Sequence, residues 1–531
     1  MLQIQLPDIF SDHMMLQRDT TLYFKGRLFD PEHSLSETSH TLTISLGETT
    51  IQERFLGAAF CIAFPSQPAG RNQTLSLCVE GREDISVTFS DISIGDIWLA
   101  AGQSNMEYFL RYDSNWNTTR KWQKNPDIRM YNFPQIAYEG QVRDLPHSGH
   151  WFEEQDKAWD EFSAPGYYFA RFLQPDLNVP VGIIGCNWGG TPACAWMAES
   201  YLEQEPLSVF KEEYQKELAL FSEAEMKEQS LKAWDFENDY DHQIAWRAMM
   251  YGMNLTDQAI WMERHQNDPV IPMGPFHHYR PNGLYHTMLK KLESFSIKGV
   301  LWYQGESDSG HSSIYDKTLT ALIDCFRKNF QNLSLPFLLV QLAPFGKWLD
   351  CTNDGYAIVR EKQQLVADSD PDVSLVSIMD LGMYEDIHPK QKMEVGRRLA
   401  LCARGNVYHT LSFFEYPTFS HASMKGNELA LLFEHVGEAL QFFPATGESS
   451  REALLRECQD NFVITYSGII CSITHAELME NSIRLTLALP DSSDEKGNLS
   501  ISYAEKDFCT VSVYNCIRLP LKPFHCQLAK K

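Results

Sequence analysis

The chain lacks any apolar run of the roughly 20 residues that a bilayer-spanning helix requires, although 44% of its 531 residues are hydrophobic. Basic clusters are missing too. With 45 Lys and Arg against 70 Asp and Glu, its net charge of -25 disfavours polyanionic partners, because phosphate binding demands clustered cations. Zinc-finger spacings and RNA-binding signatures are absent. The twelve cysteines form no CxxC pair and read as small buried apolar residues in a reducing compartment. Met1 to Pro7 has neither a basic segment nor an apolar core, so the expectation is no secretory leader and a cytoplasmic location. Internal repeats and low-complexity segments are likewise absent. What remains is a globular composition with 12% aromatic residues, in a chain long enough for two or three domains.

Residues 1–93 alternate apolar and polar positions between turns, as in Thr41-Leu42-Thr43-Ile44-Ser45-Leu46 and Ile85-Ser86-Val87-Thr88-Phe89. This predicts a small β-sandwich-like domain. From residue 94 the texture changes to continuous apolar runs: Ile94 to Ala101, Val181 to Cys186, Lys298 to Tyr303, Phe337 to Leu342 and Val373 to Met379. Such runs belong to strands buried on both faces, in a mainly parallel sheet covered by helices. Helical spacing over Ile314 to Phe330 and Lys390 to Ala403 fits that α/β reading. The charged stretch at about 199–270 reads as a helical insertion into a domain spanning 94–408, placed to cover a site. From 409 to 531 alternation returns, as in Ser482-Ile483-Arg484-Leu485-Thr486-Leu487, and predicts a C-terminal β-domain.

Several buried strands run into polar or glycine-rich text. The first reaches Gly102-Gln103-Ser104-Asn105-Met106, the second Asn187-Trp188-Gly189-Gly190-Thr191, the third Gln304-Gly305-Glu306-Ser307-Asp308. The last leads through Asp380 to Glu385-Asp386-Ile387-His388-Pro389. In an open α/β sheet the carboxyl ends of the strands share one crevice, so these loops converge. Acyl transfer is the chemistry they could do. A serine needs a base to take its proton, and histidine suits that role near neutral pH. The oxyanion needs fixed donors, for which the Ser104 and Gly189 N–H groups and the Gln304 amide are candidates. A G-x-S-x-G elbow is absent around Ser104, which disfavours an α/β-hydrolase.

On these motifs the chain resembles the sialate O-acetylesterase family, of the SGNH/GDSL hydrolase superfamily. The resemblance also rests on Leu6 to Arg18, Arg280-Pro281-Asn282-Gly283-Leu284-Tyr285, Trp302-Tyr303-Gln304-Gly305-Glu306-Ser307, Lys392 with Gly396-Arg397-Arg398-Leu399, and Leu519 to Phe524. It spans nearly the whole chain, most weakly over 199–270. It implies a serine esterase of the carbohydrate acetylesterase type, with an SGNH-type three-layer α/β/α domain between the two β-domains. Ser104 would be the nucleophile and His388 the base, with Gly189 and Gln304 in the oxyanion positions. For the acid, Asp386 comes first, Glu385 second and Asp380 third; a Ser–His dyad is the alternative.

Arg280 is a candidate for a sugar carboxylate or for bracing its loop, Trp188 and Tyr303 for lining a sugar subsite or packing, and Glu306 for the site or its support. His277 and His278 lack a third ligand at recognisable spacing, so neither metal nor cofactor is expected. The expected substrate is a small acetylated sugar, with an O-acetylated sialic acid as the first reading. Acetylated xylo- or manno-oligosaccharides are the alternative. A carbohydrate-binding protein with a decayed site, and a glycoside hydrolase using Glu306 and Asp308, are lesser readings, since neither explains Ser104 with His388.

Overall fold

The computed structural model describes residues 2–31, 38–143, 145–293, 295–444, 447, 449–490 and 498–529. Its central sheet has the order Trp151–Glu153, Ile128–Asn132, Val181–Asn187, Arg82–Gly102, Gly299–Tyr303, Phe337–Val340, Val373–Val376. All neighbours along this path pair in parallel except the first two strands. The expected apolar strands are therefore present, and Ile128–Asn132 and Trp151–Glu153 are additions.

Alternate residues of these strands enter different cores, as a pleat requires. Ile97, Leu99 and Ile184 pack with Leu319, Leu322 and Val359 of the helices Tyr315–Asn329 and Tyr356–Ser369. Trp98, Ala100 and Ile183 pack with Phe169, Leu173, Val395 and Leu399 of the helices Ala164–Leu177 and Lys392–Cys402. Burial on both faces is why these strands read as unbroken apolar runs. The helix Ala164–Leu177 has no clear signature because Pro165, Gly166 and Pro175 interrupt it. Pro165 sits in the first turn, where its missing N–H costs nothing, and the Ser163 hydroxyl caps Gly166 N–H at 3.1 Å.

The strand Arg82–Gly102 is 21 residues long. Its first half pairs with Gly70–Val79 of the N-terminal β-region and its second half is the centre of the main sheet. The expected boundary at 93/94 therefore falls inside one continuous strand. The N-terminal β-region and the main sheet share a core that runs from Phe24, Ile44 and Ile62 to Ile97. Beyond residue 409, two four-stranded antiparallel sheets enclose a separate core around Leu431, Ile483 and Ile501. The 199–270 stretch is helical, as Ser208–Leu218, Glu223–Glu237, Tyr240–Arg247 and Leu255–Arg264. Side chains of Ser222, Asp239 and Asn254 cap three of these helices.

Candidate active site

The central strand ends at Gly102, whose φ of 137° and close approach exclude a side chain. A Cβ there would lie 2.2 Å from the Tyr303 carbonyl oxygen. Gln103 then spans two loops, its side-chain oxygen accepting the N–H groups of Gly305 at 3.3 Å and Ser307 at 3.2 Å. Ser104 opens the short helix Ser104–Glu107 and lines a cleft of about 560 Å³. Its Oγ lies 3.1 Å from His388 Nε2, across 284 residues of sequence.

His388 is buried between two rings set edge-on, Tyr251 at 5.1 Å and Trp348 at 5.4 Å. Its Nδ1 faces Asp386 Oδ1 at 3.5 Å without a hydrogen bond between them. Asp386 instead accepts the His388 backbone N–H at 2.8 Å and the Lys390 ammonium at 2.7 Å. Burial pushes the His388 imidazole below its ordinary pKa, against the pull of Asp386. Burial also pushes the Asp386 carboxyl up, yet His388 and Lys390 hold it below the usual carboxylate range. Of the other acid candidates, Glu385 is exposed, and Asp380 is committed to Arg398 through contacts of 2.6 and 2.7 Å.

A second network ties the serine loop to the histidine loop. Asn105 donates to Glu306 at 2.6 Å and to the Ile387 carbonyl at 3.0 Å, and accepts from Lys392 at 2.5 Å. Lys392 is fully buried with its ammonium 4.9 Å from the centres of both the Tyr108 and Tyr303 rings. Burial lowers its pKa to about 7, with Glu306 opposing. Burial conversely raises the Glu306 carboxyl. Glu306 lines the cleft and keeps one oxygen without a hydrogen bond.

Two of the expected oxyanion donors are engaged elsewhere. The Gly189 N–H donates to Glu107 Oε2 at 2.6 Å, although Gly189 is close enough to Ser104 that a Cβ on it would lie 3.5 Å from the serine Cβ. Gln304 is fully buried and stands outside the cleft lining. Its amide donates to Asp308 and, at 3.3 Å, to the Thr191 carbonyl, while its oxygen accepts the Tyr315 hydroxyl at 2.9 Å. The physical reason is competition from buried carboxylates, which must find donors where they lie. The Ser104 N–H stands in the first helical turn, where no intrahelical acceptor exists.

Trp188 lines the cleft and stacks on His278 at 4.6 Å, with His277 stacked beyond at 4.8 Å. Burial lowers His277 to about 4 and holds His278 well below the ordinary imidazole value, so the two rings are neutral packing. Among the described residues, no three His, Cys, Asp or Glu side chains are grouped to hold a metal. Arg280 is outside the cleft lining and donates to the Ala137 carbonyl at 3.3 Å. Tyr303 is fully buried beneath Lys392. The residues that sequence reasoning missed are Glu107, Arg143, Arg247, Tyr251 and Trp348. Glu107 alone had a signal, an acid three residues after the serine. The others come from regions with no motif.

Comparison with known proteins places the chain in two steps. It is a carbohydrate esterase, and hence a carboxylic ester hydrolase. Within that class it belongs to the family described as carbohydrate esterase, sialic acid-specific acetylesterase, whose model matches residues 94–234 and 273–403. The sialate O-acetylesterase of Rattus norvegicus is 23% identical over 412 residues, covering 69% of this chain and 68% of the relative. That of Mus musculus is 23% identical over 415 residues, with the same coverage of both. A crystal structure of a carbohydrate acetylesterase from Xanthomonas citri superposes with a TM-score of 0.69 at 24% identity, covering 98% of this chain and 99% of that one. This last likeness bears on the fold.

Proposed function

We propose that the protein hydrolyses O-acetyl esters of carbohydrates through an acetyl–Ser104 intermediate. His388 Nε2 takes the proton from Ser104 Oγ as the oxygen attacks the acetyl carbonyl, then returns it to the departing sugar oxygen. A water deprotonated by the same imidazole next attacks the acetyl carbonyl carbon; the bond to Ser104 Oγ breaks, the imidazolium returns the proton to that oxygen, and acetate is released. Asp386 orients the ring and stabilises its charged form through space rather than by a hydrogen bond. The Ser104 N–H receives the oxyanion, and the Gly189 N–H joins it only by giving up Glu107. We read the sheet with its covered faces as an SGNH-type three-layer domain at 94–408, between β-domains at 1–93 and 409–531. The single observation carrying this reading is the 3.1 Å contact between Ser104 Oγ and His388 Nε2 inside a cleft.

The sialic acid-specific family and the sialate O-acetylesterase relatives favour O-acetylated sialic acids as substrates. Acetylated xylo- or manno-oligosaccharides stand as the second reading. Ser104→Ala should lower acetate release from acetylated sugars and from an aryl acetate by about 10³-fold or more. Undiminished turnover in that variant sinks the mechanism. Acetate release measured side by side on sialosides and xylo-oligosaccharides decides between the substrates.

A further inference from the structure

The cleft holds two arginines in opposite circumstances. Arg247 is paired with Glu107 at 2.8 Å and also donates to Gln243 at 3.1 Å. Arg143 faces no carboxylate within ion-pair distance among the described residues. Its guanidinium lies 5.2 Å from the Trp188 ring centre and 5.4 Å from that of Trp234. Of its five N–H donors, one is committed among the described residues, to the Gln135 carbonyl at 3.2 Å, and its buried Nε–H finds no acceptor among them. Burial and the neighbouring Arg247 cation together lower its pKa to about 10, so it stays charged at neutral pH.

Arg143 is half-buried, with its Nε–H buried and Glu237 and Glu107 attracting it only from beyond ion-pair distance, and an anion entering the cleft would supply the direct partner it lacks. The fork of a guanidinium fits a planar carboxylate bidentately. Trp188 precedes Gly189, on which a Cβ would lie 3.5 Å from the Ser104 Cβ, so Trp188 stands on the nucleophile's side of the cleft and Trp234, from the helix Glu223–Glu237, faces it. We infer that Arg143 is the subsite for a carboxylate carried by the acetylated sugar, and that the enzyme selects acidic sugar esters over neutral ones. This rests on the cleft being the deacetylation site. It moves carboxylate recognition from Arg280 to a residue that the sequence did not single out.

The test compares an O-acetylated sialic acid with its carboxyl methyl ester, reading acetate release, in the wild type, Arg143→Met and Arg143→Lys. Binding of the deacetylated acid and its methyl ester to the wild type is measured by calorimetry. In the wild type the acid should exceed the ester about 10–100-fold in kcat/KM, as loss of a charge-assisted pair implies. That ratio should fall to within about twofold of one in Arg143→Met and lie between in Arg143→Lys. Equal kcat/KM and equal affinity for acid and ester in the wild type overturn the inference without needing any variant. A ratio that survives in Arg143→Met overturns it as well. Acetate release from acetylated xylo-oligosaccharides but from neither sialoside overturns the carboxylate subsite and spares the esterase. Failure on every acetylated sugar and on an aryl acetate overturns the esterase reading itself.

Discussion

The two walls of the cleft are held by different forces. Ser104, Gly189 and Glu306 sit just past the ends of parallel strands, whose backbones are hydrogen-bonded to neighbours on both sides. The facing wall, which includes Trp234, Gln243, Arg247 and Tyr251, comes from the helical insertion and is attached through side chains. Arg247 reaches Glu107 at 2.8 Å, Tyr251 OH reaches the Ser104 carbonyl at 3.4 Å, and Gln258 accepts from Trp348 at 2.7 Å. The family model matches the first wall and passes over 235–272. A sheet edge can thus keep the reacting atoms in register while the opposing wall varies. Yet the division is incomplete, because Tyr251 of the insertion forms one side of the His388 pocket.

The largest expected effect breaks the attachment. Arg247→Met leaves Glu107 buried with its cation gone, which should cost about 3–5 kcal/mol in a denaturation midpoint analysis. Adding Glu107→Gln should recover much of that loss. A single-variant cost under about 1 kcal/mol, the size of an exposed pair, means that other contacts hold the insertion in place.

Next in size is the histidine's support. Because Asp386 stands 3.5 Å from Nδ1 with no hydrogen bond, Asp386→Asn should lower kcat/KM about tenfold. That is far less than the roughly 10⁴-fold seen where a triad aspartate binds its histidine directly. Glu385→Gln, at an exposed position, should change the rate by less than about twofold. A full 10⁴-fold loss in Asp386→Asn points to a closed Asp–His contact during turnover.

The smallest effect concerns pH. Only neutral His388 can act as base, and burial lowers its pKa. Activity should therefore be lost as pH falls through a midpoint below the ordinary imidazole value of about 6.5. Tyr251→Ala admits water to the ring and should move that midpoint upward. An unmoved limb assigns the desolvation to Trp348 and the sheet side instead.

Much of the first wall was legible because its signals are local. Continuous apolar runs mark strands buried on both faces, and Gly102-Gln103-Ser104 marks a strand ending on a candidate nucleophile. The strand Ile128–Asn132 escaped notice because Arg129 interrupts it; the guanidinium is buried against Asp91, with Nη2 at 2.9 Å from Oδ2. The second wall was legible only as helical and charged. Its partners lie far away in sequence, as Arg247 and Glu107 do at a separation of 140 residues.

By itself, then, the sequence determined the α/β body, the β-rich flanks and the loops that carry Ser104, Asp386 and His388, since periodicity and turn chemistry act over a few residues. Only the tertiary structure decided where each buried polar group found its partner. It turned the Gly189 N–H toward Glu107, made Gln304 a brace, set Asp386 beside His388 without a hydrogen bond, drew Arg280 out of the cleft lining, and left Arg143 with no ion-pair partner among the described residues. Those outcomes depend on which groups share a desolvated volume, and that is a property of the folded chain.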